Sequence, residues 1–352
     1  MSALNGVTSA IVGAANVASG GSSHQVDRSL RFNSADTANL YKSFSSSTSL
    51  TKSTISFWVK RGKVGFRNTV FSGYGSIGGS YTFCQIEFQA NDTISCGNNV
   101  GQTFETTQVF RDPSAWYHFV LAFDTTQASS SDRVKFYING SQVTDFNSTS
   151  YPGQNGSALI FGDTHNFIAA NQSSGTPAIP GDIYLAEMHF VDGQGLAPTD
   201  FGEYDSNNNW NPKDCKDDLT YGTHGFYLTF SDNSSASALG TDTSGNGNNW
   251  TVNNISVAAG SDNDSLIDTP TNYEAGSGNN GGNYATLNPV DQRTLTGGPT
   301  YTLSQGNLTC DMTGGSGASS GDRGFTTSTL QLQTGKKWYW EVEMYYMSNN
   351  DI

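Results

Sequence analysis

Apolar and polar residues alternate along much of this chain, which is the pattern of strands that bury one face of a sheet. In the stretch WYHFVLAFDTTQASSSDRVKFYINGSQVTDF, two such strands flank a polar loop, and Val134, Phe136 and Ile138 share one face of the second strand. Asn139-Gly140 then predicts a type I′ hairpin turn, because both central residues of that turn need positive φ. The sequence therefore predicts Phe136 in a core and Asn139-Gly140 at a hairpin tip.

Similar alternation marks further strands, whereas helical periodicity is almost absent. The predicted strands lie in SLRFNSADTANLYKSF, STISFWVKRG, NTVFSGY, FCQIEFQANDTISC, ALIFG, DIYLAEMHFVDGQ and GFYLTF. Alternation in DIYLAEMHFVDGQ predicts one face that carries Tyr184, Ala186, Met188 and Phe190, and GLAPTDFGEY predicts a short helix. Strands at this spacing predict an all-β protein built as a two-sheet sandwich.

Composition supports this fold class and narrows the partners. Charged residues make up only 14% of the 352 residues, Gly occurs 40 times, and aromatic residues make up 12%, which favours many strands and turns around a real core. The net charge of −14 argues against nucleic acid as a partner, because acidic surfaces repel phosphates. No apolar run approaches the ~20 residues of a membrane span, and no basic residue precedes Arg28, so neither membrane insertion nor a secretory signal is expected.

The four cysteines are predicted to be free, mainly buried thiols: Cys84, Cys96, Cys215 and Cys310. Cys84 and Cys96 flank a predicted hairpin around Asn91-Asp92. A two-residue turn there would place Cys96 opposite Glu87, so a disulfide would require a different loop.

Catalytic motifs are weak in this sequence. Some glucanases of sandwich fold present E-x-D-x-x-E on one strand, so that two carboxyl groups flank the sugar bond. Here the nearest matches fail, because His189 occupies the middle position between Glu187 and Asp192, and Glu341 and Glu343 lack a third acid. Zinc-ligand spacings are also missing from the sequence. We therefore expect neither enzymatic activity nor an obligatory cofactor.

The segment Asp242-Thr243-Ser244-Gly245-Asn246-Gly247 partly matches the calcium-binding loop of an EF-hand. Asn253 stands where an EF-hand has its bidentate Glu, and no helices are predicted around the loop. The favoured interpretation is a turn rich in Gly and Asn.

The order of several motifs resembles the laminin-G-like family. These motifs are R-S-L-R-F-N, T-I-S-F-W-V-K, V-F-S-G, W-Y-H-F, K-F-Y-I-N-G and D-I-Y-L-A-E-M-H-F-V-D-G. The resemblance implies a concanavalin A-like two-sheet jelly roll, a module that usually binds glycans or proteins. It also implies that calcium could bind at a rim loop, for which Asp163 is the best-placed acid. Downstream, GKKWYWEVEM resembles the signature strand of a SPRY domain. A laminin-G-like module followed by SPRY is similar to structural proteins of marine bacteriophages.

Five segments follow from these patterns: an N-terminal arm (1–26), a laminin-G-like jelly roll (27–204), accessory strands packing on it (205–256), a Gly/Asn-rich linker (257–300) and the start of a SPRY-like domain, a partial second β-sandwich (301–352). In the arm, Leu4, Val7 and Ile11 follow the spacing of a helical seam, although Gly6 and Gly13 interrupt it. The arm is thus either a flexible extension or a docking and trimerising segment.

The functional prediction is a bacteriophage virion protein, such as a tail fibre or surface appendage docked by its N-terminus. Its expected partners are other virion proteins, further copies of itself in a trimer, and a host-surface glycan. Aromatic residues in or beside predicted turns are candidate glycan contacts, or alternatively structural residues: Tyr74, Tyr81, Tyr151 and Trp210. Alternatives are a capsid decoration protein without a host ligand, a secreted bacterial adhesin, and a glycan hydrolase whose catalytic part lies elsewhere.

Overall fold

A computed structural model describes residues 24–46, 51–77, 80–98, 103–157, 161–173, 176–260, 262–271, 282–293, 300–313, 325–332 and 334. The strands are β1 (Ser29–Phe32), β2 (Asn39–Lys42), β3 (Lys52–Arg61), β4 (Asn68–Ile77), β5 (Ser80–Phe88), β6 (Ile94–Asn98), β7 (Thr103–Thr106), β8 (Trp116–Asp124), β9 (Val134–Ile138), β10 (Ser141–Gln142), β11 (Phe146–Ser150), β12 (Asn166–Ile168), β13 (Asn171–Ser173), β14 (Thr176–Ala178), β15 (Ile183–Asp192), β16 (Gly202–Tyr204), β17 (Trp210–Pro212), β18 (Phe226–Leu228), β19 (Thr251–Asn253), β20 (Ser265–Leu266), β21 (Leu287–Arg293), β22 (Thr300–Ser304), β23 (Thr309–Thr313) and β24 (Phe325–Ser328). Helical structure in the described residues is confined to 3₁₀ turns, at Ser34–Asp36, Ser130–Asp132, Pro198–Asp200, Lys216–Asp218 and Ser237–Gly240. The arm residues Leu4, Val7 and Ile11 and the SPRY-like strand GKKWYWEVEM lie outside the described residues.

Two large antiparallel sheets form a sandwich. The first sheet has the order β10-β9-β8-β3-β15-β1-β20, and β18 also pairs with β15. The second sheet has the order β11-β7-β6-β5-β4-β12-β2-β19. Strands β18, β19 and β20 come from the chain beyond residue 204 and complete both sheets at their edges. The predicted all-β, concanavalin A-like jelly-roll sandwich is confirmed.

The core lies between the sheets and is rich in phenylalanine. Phe57, Phe119 and Phe136 from the first sheet meet Phe71 and Phe88 from the second, and all five are at most 4% exposed. Asn139 and Gly140 have φ values of 47° and 79° and connect β9 to β10, as a type I′ turn requires. The predicted core position of Phe136 and the predicted hairpin tip are therefore confirmed.

One strand departs from the predicted alternation. In β15, Glu187 has a φ of 47°, and the register with β3 shifts between Ala186 and His189. This bulge inserts one extra residue, so Tyr184 and Ala186 face outward, whereas Met188 and Phe190 face the core. The prediction of one common face for these four residues was wrong, because a bulge breaks the period of two.

The turn between β5 and β6 also differs from the prediction. Gln89 accepts from the N–H of Asp92 and donates to the carbonyl of Thr93, and Asp92 has a φ of 68°. The loop is thus one residue longer than a two-residue turn, and Cys96 lies opposite Ile86 instead of Glu87. Both Cys84 and Cys96 therefore point into the core, with 3.9 Å between their Sγ atoms. They sit on a cross-strand diagonal, where Cα atoms are about 7–8 Å apart, which is too far for an unstrained disulfide. The contact with Cys84, followed by burial, raises the pKa of the Cys96 thiol, and all four cysteines are free.

The outer face of the first sheet is covered by later parts of the chain, and we call it the covered face. Its buried residues are Arg31, Trp58, Lys60, His118, Tyr184 and His189. Lys60 Nζ donates to Asp268 Oδ2 at 2.7 Å, to Asn283 Oδ1 at 3.0 Å and to the carbonyl of Tyr284 at 2.8 Å, which uses all its donors. Asp268 and its neighbours lie within the segment predicted as a linker, 257–300, which here supplies β20 and buried partners for charged groups.

Candidate functional site

The outer face of the second sheet carries side chains that remain accessible, and we call it the open face. It is formed by Tyr74, Phe83, Gln85, Ser95 and Glu105, which are half-buried, and by Glu87, which is buried at 2% exposure. The antiparallel register brings Tyr74 opposite Phe83, Glu87 opposite Ser95, and Ser95 opposite Glu105. Directly opposite residues point to the same side of a sheet. Four neighbouring strands thus present one continuous surface.

An aromatic pair lies at one end of the open face. The rings of Tyr74 and Phe83 are stacked, with 5.5 Å between their centroids and 28° between their planes, and both are half-buried. Two further rings continue the stripe across the sheet, because Phe167 lies opposite Ser72 and Tyr41 lies opposite Phe167. The Tyr41 and Phe167 centroids are 5.2 Å apart. Phe167 is only 3% exposed, so the half-buried rings of Tyr41, Tyr74 and Phe83 supply the flat apolar surface beside polar groups.

A chain of hydrogen bonds runs from the aromatic pair along the strands. Tyr74 OH donates to Asn171 Oδ1 at 2.9 Å, and Asn171 Nδ2 donates to Gln85 Oε1 at 2.6 Å. Gln85 Nε2 in turn donates to Glu87 Oε1 at 3.1 Å. Arg67 Nη2 contacts both carboxylate oxygens of Glu87, at 2.6 and 2.8 Å. These contacts fix the orientation of the amide and carboxylate groups before any ligand arrives.

Glu105 forms the far end of the open face. Hydrogen bonds from Asn91, Thr93 and Asn147 hold the pKa of its carboxyl group below the ordinary value, although partial burial acts in the opposite direction. Glu87 is buried and its oxygens already accept from Arg67, Gln85 and Gln89. Glu105 is half-buried, so it is the carboxylate of this face that is suited to accept hydrogen bonds from hydroxyl groups. Neither is arranged as a protonated general acid, which glycoside hydrolysis would need.

The structure distributes the four predicted glycan contacts over different surfaces. Tyr74 lies on the open face, and the backbone of Tyr81 pairs with Ser76, two residue pairs beyond the aromatic pair. Both lie within strands of a hairpin. Sequence analysis missed Phe83, Gln85 and Glu87, although their alternation with Cys84, Ile86 and Phe88 in FCQIEF was visible.

Tyr151 lies at the edge of the sandwich. Its ring packs edge-on against Phe104, with 5.1 Å between centroids, and it lines a small cleft between the two sheets. The cleft has a volume of about 150 Å³ and is also lined by Val134, Phe136 and Phe146. Tyr151 is therefore part of the core boundary in this region.

Trp210 belongs to the covered face. Its indole N–H donates to His118 Nδ1 at 2.9 Å, and the two rings are stacked with centroids 5.9 Å apart. On the other side, His118 stacks on Trp58 at 4.8 Å, and its Nε2 lies 2.8 Å from Ser56 Oγ. Burial lowers the pKa of His118 to about 3. Trp210 thus closes a packed aromatic stack.

Asp163 lies in the turn between Phe161 and β12, where its carbonyl accepts from Ser43 Oγ at 3.4 Å. Among the described residues, no group of three or more His, Cys, Asp or Glu side chains could hold a metal ion. Calcium at Asp163 stays a prediction. At Asp242, both carboxylate oxygens accept hydrogen bonds, from the N–H groups of Tyr227, Ser244 and Asn248 and from Ser244 Oγ. That loop therefore organises itself through hydrogen bonds.

Glu187, the nearest match to a glucanase carboxylate, is 5% exposed. Its Oε2 accepts from Tyr227 OH and lies 3.2 Å from His24 Nε2. Burial by itself would lower the pKa of His24, but the hydrogen bond and charge of Glu187 raise it overall. Glu187 thus fastens residue 24 and β18 to the bulge of β15. Within the described part of the chain, no helix is long and apolar enough to span a membrane.

Residues 30–184 match the family model described as the concanavalin A-like lectin/glucanases superfamily. The match and the sheet topology agree on a concanavalin A-like jelly-roll fold for this part of the chain. No curated protein matches the chain in sequence.

Three solved structures illustrate similar proteins. A heptameric SAP-like pentraxin from Limulus polyphemus has 14% identity and a TM-score of 0.36, covering 49% of this chain and 78% of the pentraxin. A protein from Bacteroides ovatus described as carbohydrate binding has 12% identity and a TM-score of 0.38, covering 65% of this chain and 59% of its own. Domains LG4-5 of the mouse laminin alpha1 chain have 8% identity and a TM-score of 0.34, covering 52% and 46%. The conclusion on the fold rests on the family match and the topology.

Proposed function

We propose that this chain is a surface-exposed structural protein that binds glycans through its open face. The observation that carries the proposal is the aromatic pair Tyr74–Phe83 joined by fixed hydrogen bonds to Gln85 and Glu87. Sugar rings have apolar C–H faces that stack on aromatic rings, and hydroxyl edges that pair with amides and carboxylates. A ligand site needs such convergent polar groups beside apolar surface, and pre-oriented groups reduce the entropy that binding costs.

A glycan array with the purified protein tests this proposal. Phe83→Ala and Tyr74→Ala should each weaken binding about tenfold, equivalent to about 1.4 kcal/mol, because each removes one stacking ring. Tyr204→Ala is the matched control, since Tyr204 is an aromatic residue 48% exposed and packed against Trp210 near the covered face. Binding that is lost equally in the Tyr204 variant, or unchanged in both open-face variants, would contradict the proposal.

The open face should bind glycans without cleaving them. Its two carboxylates are held by hydrogen-bond donors, so neither is prepared to protonate a leaving oxygen. Incubation with β-glucans and bacterial polysaccharides should release no reducing sugar. Sugar release that disappears in Glu87→Gln or Glu187→Gln would show that a carboxylate does act as a catalyst.

The wider setting that we propose is a bacteriophage virion, with the protein on a tail fibre or similar appendage as a homo-oligomer, most simply a trimer. The low-charge composition, the laminin-G-like motifs and the SPRY-like strand support this setting. Mass spectrometry and imaging of purified particles test it. Detection in the capsid would favour a decoration protein, and detection only in bacterial culture supernatant would favour an adhesin.

A further inference from the structure

A serine, a histidine and an aspartate meet at one end of the sandwich, away from the open-face carboxylates. Ser46 Oγ lies 3.0 Å from His224 Nε2, and His224 Nδ1 lies 3.1 Å from Asp192 Oδ2. Ser46 is exposed, whereas the side chains of His224 and Asp192 are only 10% and 9% exposed. Nucleophile, base and orienting carboxylate within hydrogen-bond reach are the geometry of a serine acyl-transfer triad, which is recognised by arrangement and not by sequence order.

The fold holds the histidine in one orientation. Asp192 ends β15, and its Oδ2 also accepts from the backbone N–H of His224 at 3.3 Å. The ring of Phe44 packs edge-on against the imidazole, with centroids 5.4 Å apart and planes at 82°. A carboxylate can only accept, so its contact with Nδ1 places the proton there. Nε2 is then left as the acceptor for the hydroxyl of Ser46.

Three chain segments that are distant in sequence build this arrangement. Ser46 follows β2, Asp192 is the last residue of β15, and His224 precedes β18. Because β18 pairs with β15, the loop that enters β18 is carried to the end of β15. The three residues are therefore not recognisable as a sequence motif. In particular, no G-x-S-x-G elbow surrounds Ser46.

We propose that Ser46, His224 and Asp192 form an acyl-transfer site that takes esters with small acyl groups. Ser46 Oγ attacks the ester carbonyl carbon while its proton passes to His224 Nε2. The bond to the alcohol then breaks, and His224 gives the proton to the departing oxygen. Water next cleaves the acyl-serine ester with the same base, releasing a carboxylic acid and restoring the hydroxyl. A small acyl group can reach Ser46 Oγ without a deep pocket, because Ser46 is exposed.

A fluorophosphonate probe tests the proposal on the full chain, because this reagent phosphonylates an activated serine in a single step. Intact-mass and peptide mass spectrometry should show one adduct, on Ser46, and p-nitrophenyl acetate should be hydrolysed. Ser46→Ala should remove both signals. His224→Gln should slow labelling about 10²-fold or more, as expected for loss of a general base.

Ser45→Ala is the matched control, since Ser45 is an exposed serine next to the site, and it should label like the unchanged protein. Because Ser46 is exposed, Ser46→Ala should keep the fold, which circular dichroism and thermal melting check. Absence of an adduct on the folded protein, or equal labelling in Ser46→Ala, would overturn the proposal and reduce the three residues to a hydrogen-bonded latch. Neither result bears on glycan binding, which the open-face variants test separately.

Discussion

His118 should make the fold sensitive to acid. Its Nδ1 accepts the indole N–H of Trp210, Trp58 stacks on its ring, and burial lowers its pKa from 6.5 to about 3. Between pH 6.5 and about 3, His118 is protonated in the unfolded chain but neutral in the folded protein. The stability that is fully present above pH 6.5 is therefore lost as the pH falls towards 3. Each pKa unit corresponds to about 1.4 kcal/mol, so acidification from pH 7 to pH 4 should remove on the order of 3 kcal/mol through this residue.

Urea unfolding at pH 7, 5.5 and 4 measures this term in the unchanged protein and in His118→Gln. Carboxylates also make folding depend on pH. The pKa of Asp124, for example, is lowered to about 2, because hydrogen bonds from Thr126 and others outweigh the effect of burial. The stability that such carboxylates contribute is lost on acidification in both proteins. The informative quantity is therefore the stability lost between pH 7 and pH 4, which should be about 3 kcal/mol smaller in His118→Gln than in the unchanged protein. His165→Gln, at a half-buried position immediately before β12, is the matched histidine substitution. Parallel pH dependence of the unchanged protein and His118→Gln would refute the reasoning, because it would mean that the folded protein accepts a proton at His118.

Three further results are expected. Phe136→Ala should lower the free energy of unfolding by about 3–5 kcal/mol in urea titrations, as a large-to-small change at a core position; a loss below 1 kcal/mol would contradict that placement. Lys60→Met should lower the free energy of unfolding by about 3–5 kcal/mol, because it leaves Asp268 buried without its cation. The double variant Lys60→Met, Asp268→Leu should recover most of that free energy. Deletion of residues 2–22 should leave the sandwich folded by circular dichroism and abolish incorporation into virions, whereas normal incorporation would move the docking surface onto the sandwich.

Alternation and turn chemistry were enough to predict the sandwich because they act locally. Asn139-Gly140 permits positive φ at two successive positions, so its hairpin needs no tertiary information. The bulge at Glu187 is different. A glutamate with a φ of 47° is locally unfavourable, and the contacts that hold it come from Tyr227 and His24, far away in the sequence. No pattern within β15 could have indicated it.

The candidate sites were harder to predict than the fold for a related reason. Aromatic residues near predicted turns were chosen as glycan contacts, yet Trp210 proved to close a buried stack, while the open face is built from strand positions such as Phe83 and Gln85. Alternation shows that one face of a strand is polar, but it cannot show whether later segments cover that face. The same limit applies to Asp192 and His224, which are 32 residues apart and meet because β18 pairs with β15.

Coverage of the two sheets finally explains why the open face is the better candidate for recognition. On the first sheet, charged outward residues such as Arg31 and Lys60 are fully buried, and Asp264 and Asp268 from the later chain neutralise them. Burying these charges without partners would be unfavourable. The outer face of the first sheet therefore packs against the later chain and is not available to a ligand. On the second sheet, Glu87 is buried, but Gln85 and Glu105 are held by neighbours and stay half-exposed. Ordered polar groups that still face solvent keep hydrogen-bonding capacity for a ligand, which is what glycan binding requires.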